Sequence, residues 1–132
     1  MASTNTGDSR PLSPHLQVWK FHATMLASIM HRMTGVGLYV GSVLLAAWIV
    51  SAATGPEAYE AVLGVMLHPV GQVFLFLWTL AVTYHFANGI RHLLWDGPKV
   101  GFSPKVASAW SVFNFVFAIA ASAGIWALAY YA

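Results

Sequence analysis

Three long stretches of the chain contain no Asp, Glu, Lys or Arg, and apolar side chains fill most of their positions. They run from Met33 to Pro56, from Ala61 to Ile90 and from Val106 to Ala132, which are 24, 30 and 27 residues. A helix that crosses a bilayer needs about 20 such residues. The segments are uniformly apolar and lack the alternation of a membrane β-strand. The pattern therefore predicts an all-α membrane protein with three transmembrane helices, at roughly 23–53, 69–95 and 105–131.

The first connection has a periodic pattern of its own. In the stretch PEAYEAVLGVMLHP, four apolar residues fall at i, i+3, i+4 and i+7, which is one face of a helix: Tyr59, Val62, Leu63 and Met66. Pro56 suits the first turn of such a helix. We predict a short interfacial helix between spans one and two. His68, which follows it, is read as a surface or capping residue.

The third span is rich in Ala, Ser and Gly, which let membrane helices approach closely. It is therefore predicted to be a packing helix. Its one amide, Asn114, is expected to form a hydrogen bond between helices rather than to contact a ligand. Before this span, DGPKVGFSPK is a Gly/Pro-rich turn segment.

Composition supports a membrane protein and narrows its chemistry. Hydrophobic residues make up 58% of the chain and charged residues 8%, against about a quarter charged in soluble domains. The absence of cysteine excludes disulfides, thiolate-bound iron–sulfur clusters and covalently attached c-type haem within this chain. The net charge of +2 gives no indication of nucleic-acid binding.

The basic residues indicate an orientation. Three basic residues lie before the first span or inside its start (Arg10, Lys20 and Arg32), and three lie at the end of the second span or in the connection after it (Arg91, Lys99 and Lys105). The first connection has two glutamates and no basic residue. The positive-inside rule therefore places the N-terminus and the second connection in the cytoplasm. The start, MASTNTGDSRPLSPHLQ, lacks both the apolar core of a signal peptide and the pattern of an organellar presequence. We divide the chain into an extended N-terminal segment, 1–20, and a membrane anchor, 21–132.

Polar residues in the first span share one helix face because they are separated by steps of three, four and seven. They are Thr24, Ser28, His31, Arg32 and Gly35. If the helix starts near Lys20, Arg32 lies about 18 Å along it. A charge at that depth costs several kcal/mol unless a polar or anionic group receives it or it snorkels to the surface. A role facing a ligand fits better, because Ser28 and His31 lie on the same face.

The end of the second span, HFANGIRHLLWD, repeats this arrangement. One face is expected to carry His85, Asn88, Gly89, His92 and Asp96. Arg91 marks the cytoplasmic edge, and His85 lies about 9 Å deeper, six residues at helical rise. Gly89 leaves room for a bulky planar group to approach the backbone.

The residue types at this depth indicate two ligands. A histidine in apolar surroundings is a suitable axial ligand for haem iron, and His31, Arg32 and His92 could receive the haem propionates. Ser28 and Arg32 could equally hydrogen-bond the carbonyl of a quinone. The residues alone do not divide these roles between haem and quinone.

Three segments together resemble a known family. RPLSPHLQVWK, then SIMHRMTGVGLY in the first span, and HFANGIRHLLWD at the end of the second are similar to the cytochrome b subunit of succinate dehydrogenase, a membrane anchor of respiratory complex II. The resemblance covers residues 10 to about 130 and matches in order and spacing. Trp19 stands where the family often has tyrosine, a change that keeps an amphipathic ring.

The resemblance implies a subunit of an enzyme complex that passes electrons from succinate to ubiquinone. It implies that His85 is the axial ligand of a b-type haem shared with a second small anchor. His31, Arg32 and His92 would lie near the propionates, and Ser28 and Arg32 would line the quinone pocket. Succinate oxidation would occur on a flavoprotein subunit, and an iron–sulfur subunit would carry the electrons to the membrane.

Further expectations follow from the resemblance. The chain would belong to the tricarboxylic acid cycle and the aerobic electron transport chain. Independently of the resemblance, the lack of a presequence pattern favours a bacterial plasma membrane over a mitochondrial one. The segment 1–20 would contact the soluble subunits, and no nucleic acid would be bound. His31 and Asp96 are the candidates for proton delivery to the quinone.

Three other interpretations remain open on the residues alone. A self-contained cytochrome b would need His31 or His22 as its second iron ligand. A quinone-binding anchor without haem would result if the partner lacked its ligand. A small transporter or proton-conducting subunit would use the buried Arg and His as a relay.

Overall fold

The computed structural model describes residues 20–132, which form four helices and, within that range, no strand. The helices are α1 (Ala23–Thr54), α2 (Pro56–Leu67), α3 (Pro69–Asp96) and α4 (Pro104–Tyr131). The three longer ones, α1, α3 and α4, are long and apolar enough to cross a membrane. The predicted all-α protein with three spans and a short helix after the first is therefore confirmed. The predicted extended segment 1–20 lies, apart from Lys20, outside the described residues.

Local chemistry defines where the helices begin. Proline occupies the first turn of α2, α3 and α4, where its missing N–H is not needed. His68 caps α3, because its Nδ1 accepts a hydrogen bond from the backbone N–H of Val70 at 3.3 Å. The capping role predicted for His68 is thus confirmed. Gly55 joins α1 to α2 at φ +141°, a conformation that side chains disfavour.

The apolar stripe of α2 faces the protein. Its four residues are half-buried, and α2 contacts both α1 and α3. On the flanks of this stripe, Val65 and Leu67 are exposed. The stripe predicted to lie along the membrane surface is therefore partly covered by the ends of α1 and α3, and α2 also presents apolar groups on either side of it.

Helix α3 lies between α1 and α4 and runs antiparallel to both. Small and polar residues of α4 are buried along one side of that helix: Ala107, Ser111, Asn114, Ala118 and Ser122. Thr83 Oγ1 lies 2.8 Å from Ser122 Oγ, and Asn114 Nδ2 donates to Asn88 Oδ1 at 3.2 Å. Both expectations for this helix, close packing and an interhelical bond from Asn114, are confirmed.

Two contacts define the pairing of α1 with α3. The Tyr84 hydroxyl donates to the carbonyl of Ala27 at 2.9 Å. Further along, the indole of Trp78 packs directly against Gly41, where a Cβ atom would overlap the ring. This antiparallel pairing brings the N-terminal half of α1 beside the C-terminal half of α3. The two polar faces noted in the sequence are therefore at the same end of the bundle.

Large apolar side chains cover much of the outer surface. Val36 is 67% exposed, Val73 60% and Phe113 62%, and they belong to three different long helices. Contiguous apolar surface on this scale is unfavourable in water. In a bilayer the same side chains are solvated by lipid, so the exterior of α1, α3 and α4 is that of a membrane protein.

Candidate functional site

Three histidines meet where α1 faces α3. The rings of His31 and His85 stack with centroids 4.0 Å apart and planes 13° from parallel. The ring of His92 lies 5.0 Å from that of His31, tilted by 36°. All three side chains are half-buried. We call His31, His85 and His92 the histidine cluster.

The hydrogen bonds of His85 define its tautomer. Its Nδ1 lies 3.1 Å from the carbonyl oxygen of His31 and 3.2 Å from Thr34 Oγ1. A carbonyl oxygen only accepts, so we assign the hydrogen of a neutral His85 to Nδ1. The Nε2 atom then carries the lone pair. A histidine that donates through Nδ1 and ligates through Nε2 is a common arrangement at metal sites.

Two glycines give the cluster its space. A Cβ atom on Gly35 would lie 3.1 Å from Cε1 of His85, so the imidazole sits against bare backbone of α1. A Cβ atom on Gly89 would meet no heavy atom within 4 Å. One turn from His85, α3 therefore presents an open stretch of backbone, as expected for Gly89.

Ser28 and Arg32 form a separate pair on α1. Arg32 Nη2 donates to Ser28 Oγ at 3.0 Å, and the arginine is exposed at the protein surface. The pair places a cation and a hydroxyl side by side within the helix Ala23–Thr54. Both groups are available to a ligand that approaches from outside this chain.

Asn88 and Arg91 depart from their expected positions. Asn88 was predicted to share a face with His85, but it is 1% exposed and points to Asn114 on α4. A step of three residues turns the helix by about 60° away from the starting position at 3.6 residues per turn, which is enough to reach the α4 side. Arg91, interpreted from the sequence as an edge marker, is also buried, at 3% exposure.

Sequence reasoning missed two further residues near the cluster. Thr34 is in reach of His85, and its hydroxyl can also donate to the carbonyls of Met30 and His31. Trp95 contacts His92 edge to face, with centroids 5.4 Å apart. Thr34 lies three residues after His31, so its helix face was a usable signal. Nothing in the sequence pattern singled out Trp95.

The residues present fit a planar iron-containing cofactor better than a bare metal ion. Residues 20–132 contain no group of three or more His, Asp or Glu side chains arranged to hold a metal ion. His85 instead offers one nitrogen, and Gly89 leaves space beside it. Within the described chain, the Nδ1 atom of His31 is buried without a hydrogen-bond partner. A buried polar nitrogen without a partner is unusual in a folded protein, so His31 is a position where a bound group could complete the hydrogen bonding.

Fold and site together define a class: a three-span membrane protein with a histidine cluster at one end of its bundle. Comparison with known proteins identifies the family. The model of the succinate dehydrogenase/fumarate reductase transmembrane subunit family matches residues 6–125. The chain belongs to this family, among the cytochrome b subunits of succinate dehydrogenase.

Individual relatives agree with this assignment. The chain is 42% identical over 96 residues to the succinate dehydrogenase cytochrome b556 subunit of Paracoccus denitrificans, covering 73% of each protein. It is 36% identical over 107 residues to the Rickettsia bellii cytochrome b556 subunit, covering 80% of this chain and 82% of the relative. The mitochondrial cytochrome b560 subunit of Mus musculus is 36% identical over 129 residues, 94% of this chain and 74% of the mouse protein.

Proposed function

We propose that this membrane subunit of an enzyme complex supplies His85 as one of the two iron ligands of a b-type haem and forms part of the site where ubiquinone is reduced. The observation that carries the haem assignment is the hydrogen bond between His85 Nδ1 and the His31 carbonyl. It leaves Nε2 as the basic nitrogen of a histidine set among apolar helices. A bound b-type haem takes up and releases one electron at a time.

The second axial ligand comes from a partner anchor in this proposal. Two histidines of one chain that held the same iron would need room for it between their rings. The rings of His31 and His85 are instead stacked face to face at 4.0 Å, a geometry that does not bracket an iron atom. His22 is nine residues before His31, about 13 Å along the helix direction. A shared site is therefore favoured over a self-contained cytochrome.

The remaining members of the cluster receive the charged edge of the haem. His31 has a buried nitrogen without a partner in residues 20–132, and His92 lies within ring-contact distance of it. Arg32 is the adjacent cation on α1. Hydrogen bonds from these groups to propionate oxygens would stabilise negative charge that is costly to bury unpaired.

Ser28 and Arg32 bind the quinone in this proposal. Their 3.0 Å hydrogen bond holds a hydroxyl and a guanidinium together, and both groups can donate to a carbonyl oxygen. Donors aimed at the oxygen stabilise the negative charge that develops there as electrons arrive. The exposure of Arg32 leaves this side of α1 open to a neighbouring subunit, which could complete the pocket.

The partners follow from the family. We propose that a flavoprotein subunit oxidises succinate, that an iron–sulfur subunit transfers the electrons, and that a second small anchor completes the membrane part. The segment 1–20 would contact the soluble subunits. The charge pattern puts the histidine cluster near the cytoplasmic surface, where the iron–sulfur subunit could reach it. We place the complex in a bacterial plasma membrane.

The test compares His85→Ala with wild type in the complex purified through a tag on this chain. We expect the b-type α-band of the reduced-minus-oxidised spectrum to be lost while the partner subunits still copurify. His68→Ala is the matched control, because it removes a histidine at the opposite end of α3 that only caps the helix. An unchanged haem content in His85→Ala would overturn the ligand assignment. If the wild-type complex contained the partner subunits but no haem, the chain would be a quinone-binding anchor without haem.

A further inference from the structure

Arg91 is a buried cation surrounded by neutral groups. It is 3% exposed, and its Nη1 donates to Asn88 Oδ1 at 3.2 Å and to Ser111 Oγ at 2.9 Å. Its Cζ atom lies 4.1 Å from the centroid of the Trp95 ring. Its Nε has no hydrogen-bond partner in residues 20–132. These contacts solvate the charge but do not cancel it, so a positive field persists inside the helix pair.

The field acts close to the histidine cluster. Arg91 directly precedes His92 and follows His85 by six residues, about 9 Å along the axis of α3. Trp95 connects Arg91 with the histidine cluster. The guanidinium of Arg91 lies over its ring, and the ring centroids of Trp95 and His92 are 5.4 Å apart in an edge-to-face contact. Between sites that are shielded from water, charges interact strongly over such distances.

We infer that Arg91 is a positioning residue that raises the reduction potential of the haem held at His85. This inference rests on the proposed haem site. When a chemical reductant supplies one electron to the haem iron, the charge at the iron falls by one unit, and a nearby fixed cation favours that reduced form. The neutral surroundings of Arg91 make the effect stronger than that of a cation paired with a carboxylate.

A purely structural role is the competing explanation. Arg91 also joins α3 to α4 through Ser111, and loss of that bond would loosen the helix pair. The reduction potential of the haem separates the two roles, because substitutions at Ser111 can change the hydrogen bond and the charge independently. Ser111→Ala removes the bond and keeps the charge. Ser111→Asp keeps the contact with Arg91 and neutralises its charge by an ion pair.

The experiment is an equilibrium redox titration of the haem α-band in the purified complex. Arg91→Gln and Ser111→Asp should both lower the ratio of reduced to oxidised haem about tenfold at a fixed ambient potential, which is 59 mV for a one-electron couple. Arg91→Lys and Ser111→Ala keep the charge and should titrate close to wild type. The Ser111→Asp variant keeps the test decisive if Arg91→Gln does not assemble.

Two outcomes would overturn the inference. One is a wild-type reduction potential in Ser111→Asp, because neutralising the charge of Arg91 would then leave the haem unaffected. The other is an equal shift in Arg91→Lys, Arg91→Gln and Ser111→Ala, which would indicate a structural clamp. Failure of the haem assignment would be recognised separately, since the wild-type complex would then show no α-band to titrate.

Discussion

The ligating role proposed for His85 depends on groups of α1 rather than on its own helix. The carbonyl of His31 and the hydroxyl of Thr34 hold Nδ1, and Gly35 lets the ring approach the backbone. A carbonyl oxygen of an α-helix already accepts a hydrogen bond from the N–H four residues on. The Nδ1–H of His85 therefore donates to the second lone pair of the His31 carbonyl oxygen. Three small features of one helix thus orient one side chain of another.

This arrangement predicts a clear difference between two neighbouring glycines. Gly35→Ala places a Cβ atom 3.1 Å from Cε1 of His85, so the ring must shift by a few tenths of an ångström. We expect reduced haem content per complex or a broadened α-band. Gly37→Ala meets nothing within 4 Å and should be neutral or stabilising by up to about 1 kcal/mol, because alanine is the better helix former. Equal behaviour of the two variants would show that the close approach is unimportant.

A second prediction at this scale concerns the quinone pair. Ser28→Ala or Arg32→Leu should lower quinone reduction about tenfold to a hundredfold, since a hydrogen bond to a charged group contributes about 1.5–3 kcal/mol. Succinate oxidation with an artificial soluble acceptor should be unchanged. Ser42→Ala is the control, because Ser42 is exposed on the same helix and bonds only to the carbonyl of Tyr39. Equal losses in both assays would point to failed assembly instead.

Sequence reasoning succeeded for residues whose role is local and failed for those that depend on a neighbouring helix. His68 could be predicted as a cap because it stands between two helices and directly before a proline. Asn88 could not be assigned to the right face from the sequence. It lies three residues after His85, which puts it between the side of α3 that faces α1 and the side that faces α4. Arg91 was interpreted by the charge rule alone, and its burial depends on Ser111, twenty positions away.

At the scale of helices, the three spans follow from the bilayer itself, which requires long uninterrupted apolar segments. Their pairing does not, because lipid and side chains are equally apolar and association depends on shape and polar contacts. The small residues of α4 predicted that it packs closely. The seating of Trp78 on Gly41 was not predicted, since the two positions share no motif.

The contact of Trp78 with Gly41 should be important for the stability of the α1–α3 pair. Gly41→Ala puts a Cβ atom into the indole ring, and overpacking of this kind costs about 1–3 kcal/mol. We expect a lower midpoint temperature for loss of the assembled complex in detergent. Gly124→Ala, where a Cβ meets nothing within 4 Å, is the matched control on α4. If both variants melted like wild type, Trp78 would have room to turn away.

For the whole molecule, the fold defines which helix ends lie together, and the charge pattern predicts which end faces the cytoplasm. Three antiparallel spans put the end of α1 and the end of α4 at one surface and the α3–α4 connection at the other. The basic residues of that connection favour the cytoplasm. The histidine cluster lies towards the same surface. Orientation therefore decides whether electrons from a soluble cytoplasmic subunit can reach the site.

The chain contains no cysteine, so single cysteines can report this orientation directly in the assembled complex. In right-side-out vesicles, Thr54→Cys and Ala132→Cys should both react with a membrane-impermeant maleimide. Pro98→Cys should react only after the vesicles are opened. Thr54 and Ala132 must behave alike in either orientation, which tests the antiparallel fold independently of the charge rule. If Pro98→Cys alone reacted in sealed vesicles, the protein would have the opposite orientation. The histidine cluster would then lie beyond the reach of a cytoplasmic iron–sulfur subunit.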